Sequence, residues 1–409
     1  MGLGTHNANG FFYTSFNPDE LNKKSFSNTI MRLFPNGSAP LYALTGETGK
    51  KRAVAATHGY FTKHMAYPNL TVDDADDLIS TDTTLVVDSS AGVAAGMTFQ
   101  VPTTREIFRI ASVTDATTVV IERSFGRVAA GAIVDDEVCT LVGNAQVEAS
   151  TRPVARSIDS AYVPNYTVIV RNAWAISDTA AKSLAEAGFN NVAENKLDCV
   201  ELHSTEIEGQ MLYGQAVAPA TDTVTGKPIH ATQGFVDAVY QHAAANVKTA
   251  GATTTYAQLV DLVSPAFAYS SSKSGGGVKE RALFCDTLAM KVIHEIGVAA
   301  GQVTMTTETT SFGLVYTMFK FYRGILRLIE HPLLNELAPA AGVALTVDLP
   351  TLGVAYLEGR DVKREEYDGS KDSTGSGIDA SGGSLTTEFA TEFTSPNTCG
   401  IINGLTAGA

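Results

Sequence analysis

Twenty-seven residues, NNVAENKLDCVELHSTEIEGQMLYGQA at 190–216, constrain the fold of this chain more than any others. Ala193, Leu197, Val200, Ser204, Ile207, Met211 and Gly214 recur at spacings of four and three, the period of one face of an α-helix. The helix they predict has roughly seven turns and is about 37 Å long. A neighbouring row, Glu194, Asp198, Glu201, Thr205 and Glu208, keeps the same spacing and is expected to form an acidic contact or solvated face. A rod of this length needs sheets to lie on.

The strands are expected on both sides of it. Between residues 80 and 142, TTLVVDSS, GMTFQV, REIFRIASV, TTVVIERS and DEVCTLV are short runs rich in Val, Ile and Thr, parted by turn residues about every ten positions. In EIFRIASV, Ile107 and Arg109 alternate with Phe108 and Ile110, the pattern of a partly buried strand. Five such runs predict a small barrel or sandwich. Tyr166–Val170 reads as a further strand, and Ser177 as the N-cap of a short helix stopped near Gly188. Residues 231–249 and 255–268 read as helices, SSSKSGGG as a loop, RALFCD as a buried strand and TLAMKVIHEIGVAAG as a helix. KFYRGILRLIEHP, Lys320–Pro332, mixes apolar and basic residues on both parities and reads as one strand buried on both faces, its arginines reaching an edge. The last part is strand-like again, with a Gly/Ser-rich loop at 369–384. The order of elements predicts an α+β fold.

No catalytic constellation emerges. LTGETGKKR has Leu44 where a phosphate loop needs glycine, and Lys51 follows Lys50 where Ser or Thr is required. HEIGV offers His294 but places Val298 where a zinc helix needs its second histidine. His203 and Glu206 are three apart on the long helix, yet a di-metal bundle needs a second such pair. Ser376 lies in a low-complexity GSG and not in a nucleophile elbow. Cys139, Cys199, Cys285 and Cys399 are too far apart in sequence for a metal set and read as free thiols. The expectation is a chain with no catalytic, cofactor-binding or metal residues, and not an enzyme.

Charge points to surfaces. Net charge is −14, which argues against a free nucleic-acid-binding domain. Residues 1–70 hold seven Lys/Arg and three Asp/Glu, a net of +4, whereas residues 71–150 carry a net of −9. A basic arm and an acidic segment in one chain are suited to pairing between copies. Charged residues make up only 18%, below the usual share of about a quarter, as expected of an oligomer with large interfaces. The N-terminus lacks the basic start and apolar run of a signal peptide, and no apolar stretch approaches membrane-spanning length.

SFSNTIMRLFPNGSAPLYALTG, the β-rich insert, SIDSAYVPNYTVIV, STEIEGQMLYGQ, FKFYRGILRLIEHPLLN and TEFATEFTSPNTCGIING, in that order, resemble the major capsid proteins of tailed bacteriophages. The resemblance covers nearly the whole chain and implies a Hong Kong 97-type capsid fold. It assigns residues 1–50 to an N-terminal arm and 51–165 to an extended loop carrying a barrel-like insertion at about 75–145. Residues 166–224 become a peripheral domain with a spine helix at 190–216, 225–341 an axial domain, and 342–409 strands returning to the peripheral domain. It further implies self-assembly into hexamers and pentamers of an icosahedral head around double-stranded DNA. That DNA would be touched non-specifically at the inner face, with decoration, scaffold and portal proteins as further partners and no membrane. Assembly would take place in the host cytoplasm and the product would be the virion. The alternatives are another virion component (tail tube, baseplate or decoration protein) and, more remotely, an enzyme using Lys50 or Glu201.

Overall fold

The computed structural model describes residues 39–48, 50–63, 69–74, 77–152, 155, 157, 159–182, 191–251, 253–270, 279–299, 307–309, 315–337, 341–368 and 379–406. The arm before residue 39, the helix stop at Gly188, most of the SSSKSGGG loop and Ser376 lie outside them. The chain divides into two compact units, Met1–Tyr60 with Tyr162–Ala409, and Phe61–Ala161.

Among the described residues the first unit holds two large sheets and a separate two-stranded hairpin. In the five-stranded one, the 14-residue strand Ala380–Phe393 is the hub. Val168–Ser177 runs antiparallel along one edge of it, from Val168 opposite Phe389 to Ser177 opposite Ala380. Its other edge is shared by Lys363–Asp368 and Leu352–Leu357, and the latter pairs in parallel with Lys50–Ala53. The Gly/Ser run expected as a loop at 369–384 is therefore partly strand, from Ala380 onward. The reason is steric: a Cβ on Gly382 would lie 2.5 Å from Tyr367 Oη, and one on Gly383 2.7 Å from Trp174 Nε1. These glycines admit neighbours that any side chain would exclude.

The seven-stranded sheet has the order Val247–Thr249, Gly400–Asn403, Ala344–Val347, Glu280–Cys285, Gly324–Glu330, Val315–Phe321, Thr307–Thr309. Both its faces are covered. Ala282 and Phe284 point into the core shared with the long helix, while Leu283 and Cys285 point into a second core under the helix Thr287–Ala299. That is why RALFC reads as one continuous apolar run. Three expectations change here. Residues 342–409 do not return to one sheet, because Ala344–Val347 and Gly400–Asn403 pair within the seven-stranded sheet. KFYRGILRLIEHP is not one strand; Phe321 pairs with Gly324, so Tyr322 and Arg323 form the turn of a hairpin. Residues 231–249 are not one helix: after the strand end at Ala231 come the helix Phe235–His242, a 3-10 turn at Ala244–Asn246 and the strand Val247–Thr249, whose residues pair with Ile401–Asn403.

The long helix spans Asn191–Tyr213. Its buried residues are Cys199, His203, Ile207, Glu208, Met211 and Leu212. The expected stripe holds only in the C-terminal half: Leu197 is 50% and Val200 52% exposed. The first turns meet one sheet through Trp174 and Leu385, so their buried face is narrow. Farther on, the helices Pro40–Thr48 and Phe235–His242 also pack against it, and the buried arc widens.

The second unit is a six-stranded antiparallel sheet in the order Leu70–Thr71, Val138–Asn144, Met97–Gln100, Ile107–Val113, Thr118–Glu122, Thr84–Val86. All five strands expected from the sequence are present. Val72 bridges Val87, joining the first strand to the last, so the sheet closes into a small barrel. Phe99 and Phe108 stack inside it at 5.8 Å between centroids. The barrel starts before the expected boundary of 75, because Leu70–Val72 completes the closure. Residues 61–161 expressed alone should give dispersed β-type amide signals by NMR, whereas 75–145 should lose dispersion; a random-coil spectrum for 61–161 would refute an autonomous unit.

Candidate assembly surface

The residues singled out for chemistry are placed structurally. Lys50 pairs with Asp361 at 2.5 Å and Lys51 with Glu392, at the start of a strand. His294 is exposed and borders an open recess of about 330 Å³ with Thr287, Met290, Lys291, Thr317 and Glu330. His203 is buried between Asn172 Oδ1 and Thr387 Oγ1, each 2.7 Å away, so it fastens the long helix to the sheet. Burial holds its pKa below the usual histidine value, against the opposing charge of Glu206. All four thiols are buried and free. Burial pushes Cys139 up to about 12 and Cys399 up to about 11, where neither supplies a thiolate near neutral pH. Among the described residues, no three His, Cys, Asp or Glu side chains are placed to hold a metal ion. Glu201 lies on the long helix, half-buried, where its backbone carbonyl accepts from the Ser204 and Thr205 hydroxyls.

The organised polar groups serve a different purpose. They hold segments that are distant in sequence against the body. Glu208, fully buried on the long helix, accepts from the Leu41 and Tyr42 amides at 2.8 and 2.7 Å. Those two N–H groups begin the helix Pro40–Thr48 and have no partner within it. His331 Nε2 donates to the same carboxylate at 2.6 Å. Asn165 works similarly: its side chain donates to Thr391 O at 2.7 Å and accepts from the Gln233 amide at 2.8 Å. Its backbone carbonyl takes the His58 amide, and Thr167 N reaches Ala56 O. Glu388 and Glu392, four apart on the hub strand, complete the set. Glu388 meets Thr167 Oγ1 and Arg360, and Glu392 meets His58 at 2.8 Å and Lys51. Burial would raise the Glu392 pKa, but the bonds from His58 and Lys51 hold it at about 2. Periodicity missed all of these carboxylates. It placed Glu208 on the acidic face, and nothing in the sequence marks a glutamate as a cap for a helix 166 residues away.

Beyond these clasps the first unit carries much bare apolar surface. Among the described residues, Leu197 and Val200 on the long helix are half exposed. The hairpin of Val217–Thr221 and Pro228–Ala231 has little behind it; Val224 at its tip is 89% exposed. A two-stranded hairpin is marginal alone in water, and here its base is fixed by Thr232 and Gln233. Apolar area of this kind belongs to molecules that are covered by partners.

Sequence-distant segments are clasped to a rod-and-sheet body, a barrel is inserted in the chain, and apolar side chains stand exposed, an arrangement suited to a subunit that packs against other copies. The element order, a long helix on one sheet followed by a second α/β sheet with the β insertion ahead of both, is that of the Hong Kong 97-type capsid fold. The chain belongs to the SU10 major capsid protein family, whose profile matches residues 8–406. It is 42% identical over 409 residues to a major capsid protein of Pseudomonas phage PaMx41, covering 97% of this chain and 96% of that protein. Among solved structures, one of Mycobacterium phage Bobi aligns at 10% identity over 96% of this chain and 97% of that one, with a TM-score of 0.46. The capsid of a native GTA particle aligns at 8% identity over 95% and 97%, with a TM-score of 0.45.

Proposed function

We propose that this chain forms the head shell of a tailed phage by packing against copies of itself, as hexamers and pentamers of an icosahedral particle around double-stranded DNA. The observation that carries the reading is the family match running from residue 8 to residue 406, with no large part of the chain left for another activity. Residues 1–50 then act as the arm, 51–165 as the extended loop with its barrel, the unit of the hub strand and long helix as the peripheral domain, and the seven-stranded sheet as the core of the axial domain. The clasps at Glu208, Asn165 and Glu392 support this, since each fixes the place where arm or loop joins the body. Scaffold, portal and decoration proteins are the expected partners, assembly takes place in the host cytoplasm, and the role is structural, without catalysis or cofactor. No helix among the described residues is long and apolar enough to cross a membrane.

Electron microscopy of the purified protein should show closed shells, rings or capsomers. A stable monomer at high concentration, alone and with the other head proteins, overturns the reading; straight tubes favour the alternative of a tail component.

A further inference from the structure

The hairpin of Val315–Phe321 and Gly324–Glu330 ends in Tyr322 and Arg323, and Tyr322 is 73% exposed. Lys320, also exposed, is the second-last residue of the strand that leads into this turn. Lys279 comes close from just ahead of the neighbouring strand: its carbonyl takes the Ile325 amide at 2.9 Å, and its ammonium is held by the Phe267 carbonyl at 2.6 Å. The Arg323 guanidinium lies 5.5 Å over the Tyr322 ring and reaches Ser264 O, while the Tyr322 hydroxyl meets Ser264 Oγ at 3.3 Å.

Among the described residues, no ion pair joins Lys279, Lys320 or Arg323 to a carboxylate. The nearby Glu280 is taken by Arg327 at 2.5 Å, and Asp261 stands one turn ahead of Ser264. Burial first, then the charges of Arg281 and Arg323, hold the Lys279 ammonium below the usual lysine range. In a chain of net charge −14 this is a local excess of cations around an exposed phenol.

We propose that this hairpin tip, Lys279, Lys320, Tyr322 and Arg323, is a contact for the phosphate backbone of duplex DNA. The inference deepens the shell reading, which supplies the DNA. The side chains on offer are ammonium, guanidinium and phenol donors, the set that proteins use on phosphates, with nothing arranged to read base edges. An acidic face of another copy would meet the same cations, but exposed ion pairs between proteins are screened by salt and each contributes little. Duplex DNA carries a charge about every 1.7 Å and releases condensed counterions when even a few phosphates are neutralised. The same cations therefore gain more on DNA, and the contact is independent of sequence.

The test uses the full chain and a fluorescein-labelled duplex of about thirty base pairs, with binding followed by anisotropy across a salt series. The double variant Lys320→Gln/Arg323→Gln should weaken binding by about tenfold or more near 0.1 M salt and flatten the log–log salt slope by about 1.8. Lys227→Gln, on the other hairpin, should change neither, and a scrambled duplex should bind as well as the original. Tryptophan fluorescence at Trp174 verifies that the double variant is folded. Unchanged affinity and slope in the folded double variant overturn the proposal. So does a double variant that binds DNA normally yet no longer forms capsomers, since the tip then serves protein contact. In both cases shells formed by the wild-type chain leave the capsid reading standing.

Discussion

Glu208→Ala should cost the first unit about 3–5 kcal/mol, the range for removing one partner from a buried charged cluster. Three bonds end on this carboxylate, and all their donors are buried or nearly so. Two are the leading amides of the Pro40–Thr48 helix, whose Leu41 and Leu44 side chains are buried in the main core. A negative group at that end also offsets the positive pole of the helix. The third donor is His331, whose other ring nitrogen, Nδ1, has no partner among the described residues. Without Glu208 the whole imidazole is stranded in a closed site. Glu208→Gln keeps one acceptor oxygen and should cost less, about 1–2 kcal/mol. Urea unfolding followed by the single tryptophan, Trp174, gives the stability; hydrogen exchange at Leu41 and Tyr42 gives the mechanism. Those amides should pass from slow to fast exchange before global unfolding. If they remain protected in Glu208→Ala, the carboxylate is not what holds the arm to the body.

What the sequence made legible follows from how each feature is encoded. The barrel strands were readable because alternation is a local property: Phe108 and Ile110 are buried while Ile107 and Arg109 are only partly so, as their spacing implied. The long helix was readable in position and length for the same reason. Which face it buries was not, because Leu197 and Val200 carry the right period but are half exposed among the described residues. The turn at Tyr322–Arg323 was hidden because it contains none of the usual turn residues; Gly324 follows it, tight against the Lys279 carbonyl. The strand at Gly382–Gly383 was hidden for the opposite reason, since glycine and serine suggest a linker until one sees Tyr367 and Trp174 pressing on them. The clasps were illegible because they join residues far apart in sequence, up to 341 positions for Lys51 and Glu392, and a glutamate chosen to satisfy distant amides looks like any surface glutamate.

The second unit depends on a buried pair of the same kind, and its acid sensitivity has a defined sign. Glu106 is fully buried and is gripped by Arg123 through Nε and Nη2, both at 2.8 Å. Ser124 and Gly131 add backbone N–H bonds, and Arg123 also reaches the carbonyls of Ile79 and Gly131. One ion pair thus ties the 124–131 loop to the barrel wall. Burial alone would raise the Glu106 pKa, but the Arg123 hydrogen bonds, the two amides and the Arg123 charge outweigh it and hold the carboxyl below its ordinary value. A carboxyl whose folded pKa lies below its unfolded value of about 4.3 contributes its full stability above that pH. The contribution is lost as pH falls through the folded value. Arg123→Ala removes the opposing bonds and leaves the burial, so the Glu106 pKa should rise and the barrel should unfold at a higher pH than wild type, with a loss of about 3–5 kcal/mol at neutral pH. Replacing both partners, Glu106→Leu with Arg123→Met, should restore much of that stability and remove the acid transition, because no uncompensated charge remains buried. Acid titrations of residues 61–161 by circular dichroism decide it. An acid midpoint in Arg123→Ala equal to that of wild type would mean that the loop amides alone hold the carboxylate.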